Sequence, residues 1–98
     1  MLTLTAHARD ILRKVPHQPA FGPGAGLRIA LSQSKDRSDQ DVFVTALATT
    51  PRRDDEVVDC GGARVFLGPL AARRFDGARL DARTDAEGRI EFVVRPAS

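Results

Sequence analysis

Apolar residues near the start of the chain recur with the spacing of a helix. They occupy positions i, i+3, i+4 and i+7, at Ala8, Ile11, Leu12 and Val15. This spacing predicts an amphipathic helix with one buried face. Thr5 is a good N-cap for this helix, and Pro16 stops it. The Pro- and Gly-rich residues 17–26 are predicted to form a loop.

Alternation replaces helical spacing in the middle of the chain. Leu27, Ile29 and Leu31 alternate with Arg28 and Ala30, which predicts a strand with one buried face. Residues 32–41 contain no apolar side chain and are predicted to be an exposed loop. Residues 42–48 are mostly apolar on both faces, which predicts a central strand covered on two sides.

Shorter elements fill the second half of the chain. Val57 and Val58 predict a short strand, and a Gly61-Gly62 turn returns the chain as a hairpin over residues 64–67. Gly68-Pro69 opens a short helix that ends by Gly77. Two more alternating strands follow, with Leu80, Ala82, Ile90, Phe92 and Val94 facing inwards. The pattern predicts an α+β fold of mainly antiparallel sheet, with about six strands, one N-terminal helix and a short second helix.

Four segments stand out by their order along the chain: L-T-L-T at 2–5, G-L-R-I at 26–29, F-D-G-A-R-L-D at 75–81, and a Gly turn leading to a strand and Pro at 88–96. Together they resemble the A-type iron–sulfur cluster assembly family (HesB/IscA-like). The resemblance covers nearly the whole chain. It implies a single HesB/IscA-like domain over residues 1–98 and a setting in iron–sulfur cluster biogenesis.

The sequence departs from this family at the cluster ligands. Typical members carry one Cys in the loop after the G-L-R strand and a C-x-C near the C-terminus. Here that loop has no Cys, and the expected place falls near residues 35–37. The sequence ends at Ser98, before a C-x-C would begin, and Cys60 matches no family ligand position. The resemblance therefore implies a divergent member with a degenerate cysteine motif and no cofactor.

The amino-acid composition excludes several classes of function. Among 98 residues there is one Cys, too few for an internal disulfide, a structural zinc site or a chain-internal cluster. The net charge of +2 does not predict nucleic-acid binding, and five Phe without Trp or Tyr supply no evident base-stacking platform. No apolar run reaches membrane-spanning length and the start does not resemble a signal peptide, so we expect a small soluble cytoplasmic protein.

Two candidate functional features were identified. Lys35, Asp36 and Arg37 lie at the centre of the polar loop and form a possible docking surface; the alternative is a solvated loop without a partner. Cys60 precedes the glycine turn and is a possible reactive or dimer-bridging thiol; the alternative is a small residue at a strand end.

Other chemistry is poorly supported by the pattern. His7 and His17 lack metal-ligand spacing, and the aspartates of residues 36–41 lack the central Gly and final Glu of a calcium loop. The sequence offers no plausible nucleophile–base pair, so we do not expect an enzyme. We expect an accessory or interaction protein, monomeric or weakly dimeric, that contacts iron–sulfur assembly proteins or apo-targets. The alternative is a structural or interaction module on the same fold, and the weakest hypothesis is a carrier using Cys60 across a dimer.

Overall fold

The computed structural model describes residues 1–31 and 43–95. These residues form seven strands, two α-helices and one 3-10 turn. In chain order the elements are β1 (Thr3–Leu4), α1 (Ala6–Arg13), the 3-10 turn (Val15–His17), β2 (Gly26–Leu31), β3 (Phe43–Ala48), β4 (Glu56–Cys60), β5 (Ala63–Leu67), α2 (Pro69–Arg74), β6 (Arg79–Thr84) and β7 (Ile90–Arg95).

The strands form two sheets. The four-stranded sheet has the order β3-β2-β5-β4, and the three-stranded sheet has the order β1-β6-β7. The pairs β2–β5 and β1–β6 are parallel, and the other three pairs are antiparallel. The predicted α+β class with mainly antiparallel sheet and two helices is confirmed. The strand beyond the predicted six is the two-residue β1, which lies along β6.

Helix α1 begins where the sequence predicts. Thr5 is its N-cap, and the Thr5 hydroxyl accepts a hydrogen bond of 3.2 Å from the backbone N–H of Ala8. The helix ends at Arg13, before Pro16, and Val15 lies in the following 3-10 turn. Pro16 has no backbone N–H with which to continue the α-helical hydrogen bonds, and a tighter 3-10 turn follows.

One hydrophobic cluster joins both sheets and both helices. Period-two alternation in β2 and β5 sends Leu27, Ile29, Val65 and Leu67 into it, and all four are fully buried. Leu12 of α1, Ala71 of α2 and Leu80 and Ala82 of β6 complete its main contacts. Phe66, which alternates with Val65 and Leu67, is buried on the opposite face of the four-stranded sheet.

A partly buried ion pair anchors the loop between β3 and β4. The Arg28 guanidinium donates to both carboxylate oxygens of Asp55, each at 3.0 Å. The Asp55 side chain is 1% exposed and also accepts a hydrogen bond from the backbone N–H of Arg52. The pair therefore holds residues 52–55 against the second face of the sheet.

The hairpin of β4 and β5 is confirmed. Cys60 pairs with Ala63, and the two residues between them turn the chain with φ of 63° at Gly61 and 95° at Gly62. Side chains other than glycine rarely adopt two successive positive φ angles, so this turn requires both glycines.

Two predictions about burial are wrong. Strand β3 is an outer strand rather than a central one, and most of its side chains are exposed. In β7, Phe92 is only half-buried and Ile90 is 48% exposed. Both strands lie at a sheet edge, where only one side of the backbone has a neighbour, and this position is not encoded in the local run of apolar residues.

Candidate functional site

The predicted docking loop lies outside the described residues. Lys35, Asp36 and Arg37 belong to residues 32–42, between the two described ranges. Their role as a docking surface stays a prediction.

Cys60 is placed differently from an accessible turn thiol. It is the last residue of β4, and Val58, two residues before it, is a core residue on the same face. Cys60 is half-buried and packs against the hydrophobic cluster. Cys60 thus lies at a strand end, and its role as a reactive or dimer-bridging thiol stays a prediction.

Cys60 and Leu31, the last residue of β2, lie at opposite ends of the four-stranded sheet. Strand β5 runs parallel to β2, so the β4–β5 turn lies at the end of the sheet where both strands begin. The chain leaves β2 at Leu31, the other end, and a six-residue strand spans roughly 20 Å.

The histidines are not brought together with other ligands in the described part of the chain. His7 lies in the first turn of α1 and His17 in the 3-10 turn, and both are exposed. Among residues 1–31 and 43–95, no three His, Cys, Asp or Glu side chains are grouped to hold a metal ion. Within the same residues, no helix is long and apolar enough to cross a membrane.

An apolar groove lies between the outer strands of the two sheets, and we call it the β3–β7 groove. It has a volume of about 340 Å³. Its lining residues are Ile11, Val15, Gln18, Leu27, Thr45, Ala46, Leu47, Ile90 and Phe92. Leu47 and Ile90 expose 40% and 48% of their surface on its two rims.

The chemistry of β3 is unusual for an outer strand. Its sequence, F-V-T-A-L-A, contains no charged residue and no proline. Outer strands of natural proteins commonly carry charges, prolines or bulges that prevent another strand from pairing with them. Leu47, exposed on the groove side of this uncharged outer strand, therefore gives this part of the surface the properties of a protein contact site.

An aromatic contact lies at the first residue of β3. The rings of Phe43 and Phe75 meet edge to face with centroids 4.8 Å apart, and the Arg74 guanidinium lies 5.8 Å from the Phe43 centroid. This contact ties the first residue of β3 to the end of α2. It fixes one end of β3 beside the groove.

Sequence reasoning missed the β3–β7 groove. It assigned the apolar residues of β3 and β7 to a covered core, although the residues themselves were recognised as strand positions. One feature of the sequence could have indicated the groove: it has too few other apolar segments to cover both faces of residues 42–48. No polar motif marks the groove.

Comparison with solved structures identifies the fold. No protein-family model matches the chain, and no curated protein sequence matches it. A crystal structure of IscA with the [2Fe–2S] cluster matches with a TM-score of 0.73 and 23% identity over 98% of this chain and 85% of that chain. Escherichia coli SufA, involved in biosynthesis of iron–sulfur clusters, matches with a TM-score of 0.76 and 24% identity over 96% and 78%.

A third match extends the comparison to a solution structure. A protein from Aquifex aeolicus solved by NMR has a TM-score of 0.67 and 22% identity over 96% of this chain and 89% of that chain. The chain has the HesB/IscA-like fold along almost its whole length, as the four sequence segments predicted.

Proposed function

We propose that the protein is an accessory or interaction protein of iron–sulfur cluster biogenesis that does not itself hold a cluster. The observation that carries this proposal is its fold, which it shares with IscA and SufA over nearly all of its length. IscA is solved with a [2Fe–2S] cluster and SufA is involved in biosynthesis of iron–sulfur clusters, and these two proteins give the setting. We further propose that it acts in the cytoplasm and is not an enzyme.

The cysteine content supports the part of the proposal that excludes cluster binding. Iron–sulfur clusters are held by several thiolates, and the 98 residues supply only Cys60. Two copies would supply two thiolates, which still leaves a cluster underligated. Aspartate oxygens are hard ligands that replace soft thiolates poorly.

The β3–β7 groove supports action through protein contacts. Its rims expose Leu47 and Ile90, and its floor reaches the buried Leu27. A segment of an iron–sulfur assembly protein or of an apo-target would bury these apolar side chains and pair with the outer edge of β3. Addition of a strand to a sheet edge is a common mode of peptide recognition.

The test is capture of defined partners with matched variants. Tagged wild-type protein is mixed with purified iron–sulfur assembly proteins and apo-targets, and the bound fraction is measured. Leu47→Lys places a charge on the groove rim, whereas Leu70→Lys makes the same change at an exposed leucine of α2 outside the groove. We expect Leu47→Lys to weaken binding about tenfold or more, as for a central apolar contact, and Leu70→Lys to bind as wild type.

Three outcomes would contradict parts of the proposal. Equal binding by Leu47→Lys and wild type would remove the groove as the contact surface. Absence of binding to every cluster-assembly protein and apo-target would remove the link to cluster biogenesis. Specific binding only to proteins without a cluster role would favour the alternative, a structural or interaction module on the same fold.

A further inference from the structure

A second cleft lies at the end of the four-stranded sheet where β2 and β5 begin. It has a volume of about 410 Å³ and is walled by the end of α1, the 3-10 turn, the loop before β2 and the β4–β5 turn. Three of its lining side chains carry or can carry positive charge: Arg13, His17 and Arg64. No acidic residue is among the described residues that line it.

Glycines leave room between these cationic groups. Gly24, Gly61 and Gly62 line the cleft, and all three have positive φ. A Cβ atom at Gly24 would lie 3.4 Å from Nη1 of Arg64, and one at Gly62 would lie 4.0 Å from Cγ of Arg13. The guanidinium of Arg64 and the stem of Arg13 therefore border a surface of bare backbone, which a ligand can approach closely.

Internal contacts orient Arg64 and leave the cleft positively charged. Arg64 Nη1 donates to the carbonyl oxygen of Gly24 at 3.4 Å, and its Nε donates to Asp59 at 3.2 Å. The backbone N–H of Gly62 and the Arg64 guanidinium hold the pKa of Asp59 below its usual value, so Asp59 offsets one positive charge. Arg13 has no ion pair with any residue in the described ranges.

We propose that this cleft is a binding site for a small molecule that carries a phosphate or diphosphate group. Guanidinium groups form strong charge-assisted hydrogen bonds with phosphate oxygens, and two arginines from different elements approach such a group from two sides. The imidazole of His17 adds a further hydrogen-bond donor. The volume fits a small phosphorylated molecule and falls within the usual range of ligand sites.

This site is independent of the proposed protein contacts. It lies at the α1 C-terminus and the β4–β5 turn, and none of its lining residues lines the β3–β7 groove. Failure of phosphate binding therefore leaves the proposed function untouched, and failure of partner capture leaves the phosphate site untouched.

Titration of the 98-residue protein with inorganic pyrophosphate tests the proposal. Backbone amide shifts are followed by NMR, with sodium chloride at matched ionic strength as the reference. We expect saturable shifts at Gly24, Gly61 and Gly62. Arg13→Gln should weaken binding about tenfold, since it removes one charge-assisted contact. Arg83→Gln, which changes an exposed arginine of β6 outside the cleft, should leave binding unchanged.

A second variant and a second probe complete the test. Arg64→Gln should also weaken binding about tenfold. Arg64 also bonds to Gly24 and Asp59, so the melting temperature of the Arg64→Gln variant is measured as well. If this variant unfolds, the Arg13→Gln variant decides the result. Equal loss in Arg83→Gln, or shifts identical to those with chloride, would overturn the proposal. Binding to anionic phospholipid vesicles without binding to pyrophosphate would also overturn it, because the ligand would then be a membrane surface.

Discussion

The Thr5 hydroxyl donates a 2.8 Å hydrogen bond to the Asp81 carboxylate while it accepts one from the Ala8 backbone N–H. Thr5 belongs to the L-T-L-T segment and Asp81 to the F-D-G-A-R-L-D segment, two of the four that carry the family resemblance. The contact joins the N-terminus of α1 to β6. These two segments are therefore linked by a direct structural contact.

Loss of the Thr5 hydroxyl should destabilise the protein measurably. Thr5→Ala removes the N-cap of α1 and the hydrogen bond to Asp81, and N-cap removal costs about 0.5–2 kcal/mol. We expect the free energy of unfolding, measured with urea, to fall by about 1 kcal/mol or more. Thr5→Ser keeps the hydroxyl and should lose much less. Equal losses in both variants would show that the methyl group, rather than the hydroxyl, stabilises this junction.

The Asp81 carboxylate should make stability depend on acid pH. The hydrogen bond from Thr5, then that from the Ala82 N–H, holds the pKa of Asp81 below its usual 3.8, and nearby Arg95 favours the same direction. A folded pKa below the unfolded one means stability that is present above about pH 4 and is lost as pH falls through the folded pKa.

The variant Asp81→Asn tests this dependence. At pH 7 we expect the wild type to be more stable than Asp81→Asn, and we expect the difference in free energy of unfolding to shrink as the pH falls below about 4. Denaturant unfolding at several pH values measures both proteins. A difference that stays constant from pH 7 to acid would contradict the assigned pKa direction.

The Arg28–Asp55 pair should contribute more stability than its surface neighbours. Asp55→Ala leaves the Arg28 guanidinium and the Arg52 N–H without their acceptor, and hydrogen bonds to charged groups contribute about 1.5–3 kcal/mol. We expect the free energy of unfolding to fall by about 2 kcal/mol or more. Asp54→Ala is the matched control, because Asp54 is exposed, and it should change stability by less than about 0.5 kcal/mol.

Two large apolar residues of neighbouring strands, Leu80 of β6 and Phe92 of β7, should differ in how much their truncation destabilises the protein. Leu80 is fully buried, and Leu80→Ala should cost about 2–5 kcal/mol. Phe92 faces the β3–β7 groove and is half-buried, so Phe92→Ala should cost less than the 3–5 kcal/mol or so of a fully buried phenylalanine. Thermal or urea unfolding of both variants checks the order. A larger loss for Phe92→Ala would mean that the groove is filled in solution.

Most helices and strands could be predicted from the sequence. The burial of individual residues could not, because it depends on which strands pair in the folded protein. Helical spacing located α1, and the double glycine located the β4–β5 turn, because both signals are local. The run of apolar residues in β3 indicated a strand but not its place at a sheet edge, which depends on the pairing of β2 with β5. The partial burial of Cys60 is a related case, since strand alternation from Val58 places it on the core face, and the adjacent glycine turn does not reveal this.

The candidate sites were harder to predict than the fold. The β3–β7 groove is lined by residues from α1, β3 and β7. The proposed phosphate-binding cleft brings together Arg13 and Arg64, which are far apart in the sequence. No spacing rule relates residues that meet only through tertiary packing. The resemblance gave the fold and the expected position of the missing loop cysteine, and neither groove has a motif within it.

Iron and acid-labile sulfide analysis of anaerobically purified protein, with its visible spectrum, tests the central claim most directly. Because the 98 residues hold one cysteine, half-buried against the core, we predict a colourless protein without stoichiometric iron. The result should be the same for wild type and Cys60→Ser. A reproducibly brown protein with iron and sulfide near one cluster per dimer, lost in Cys60→Ser, would contradict the account and establish a cluster carrier.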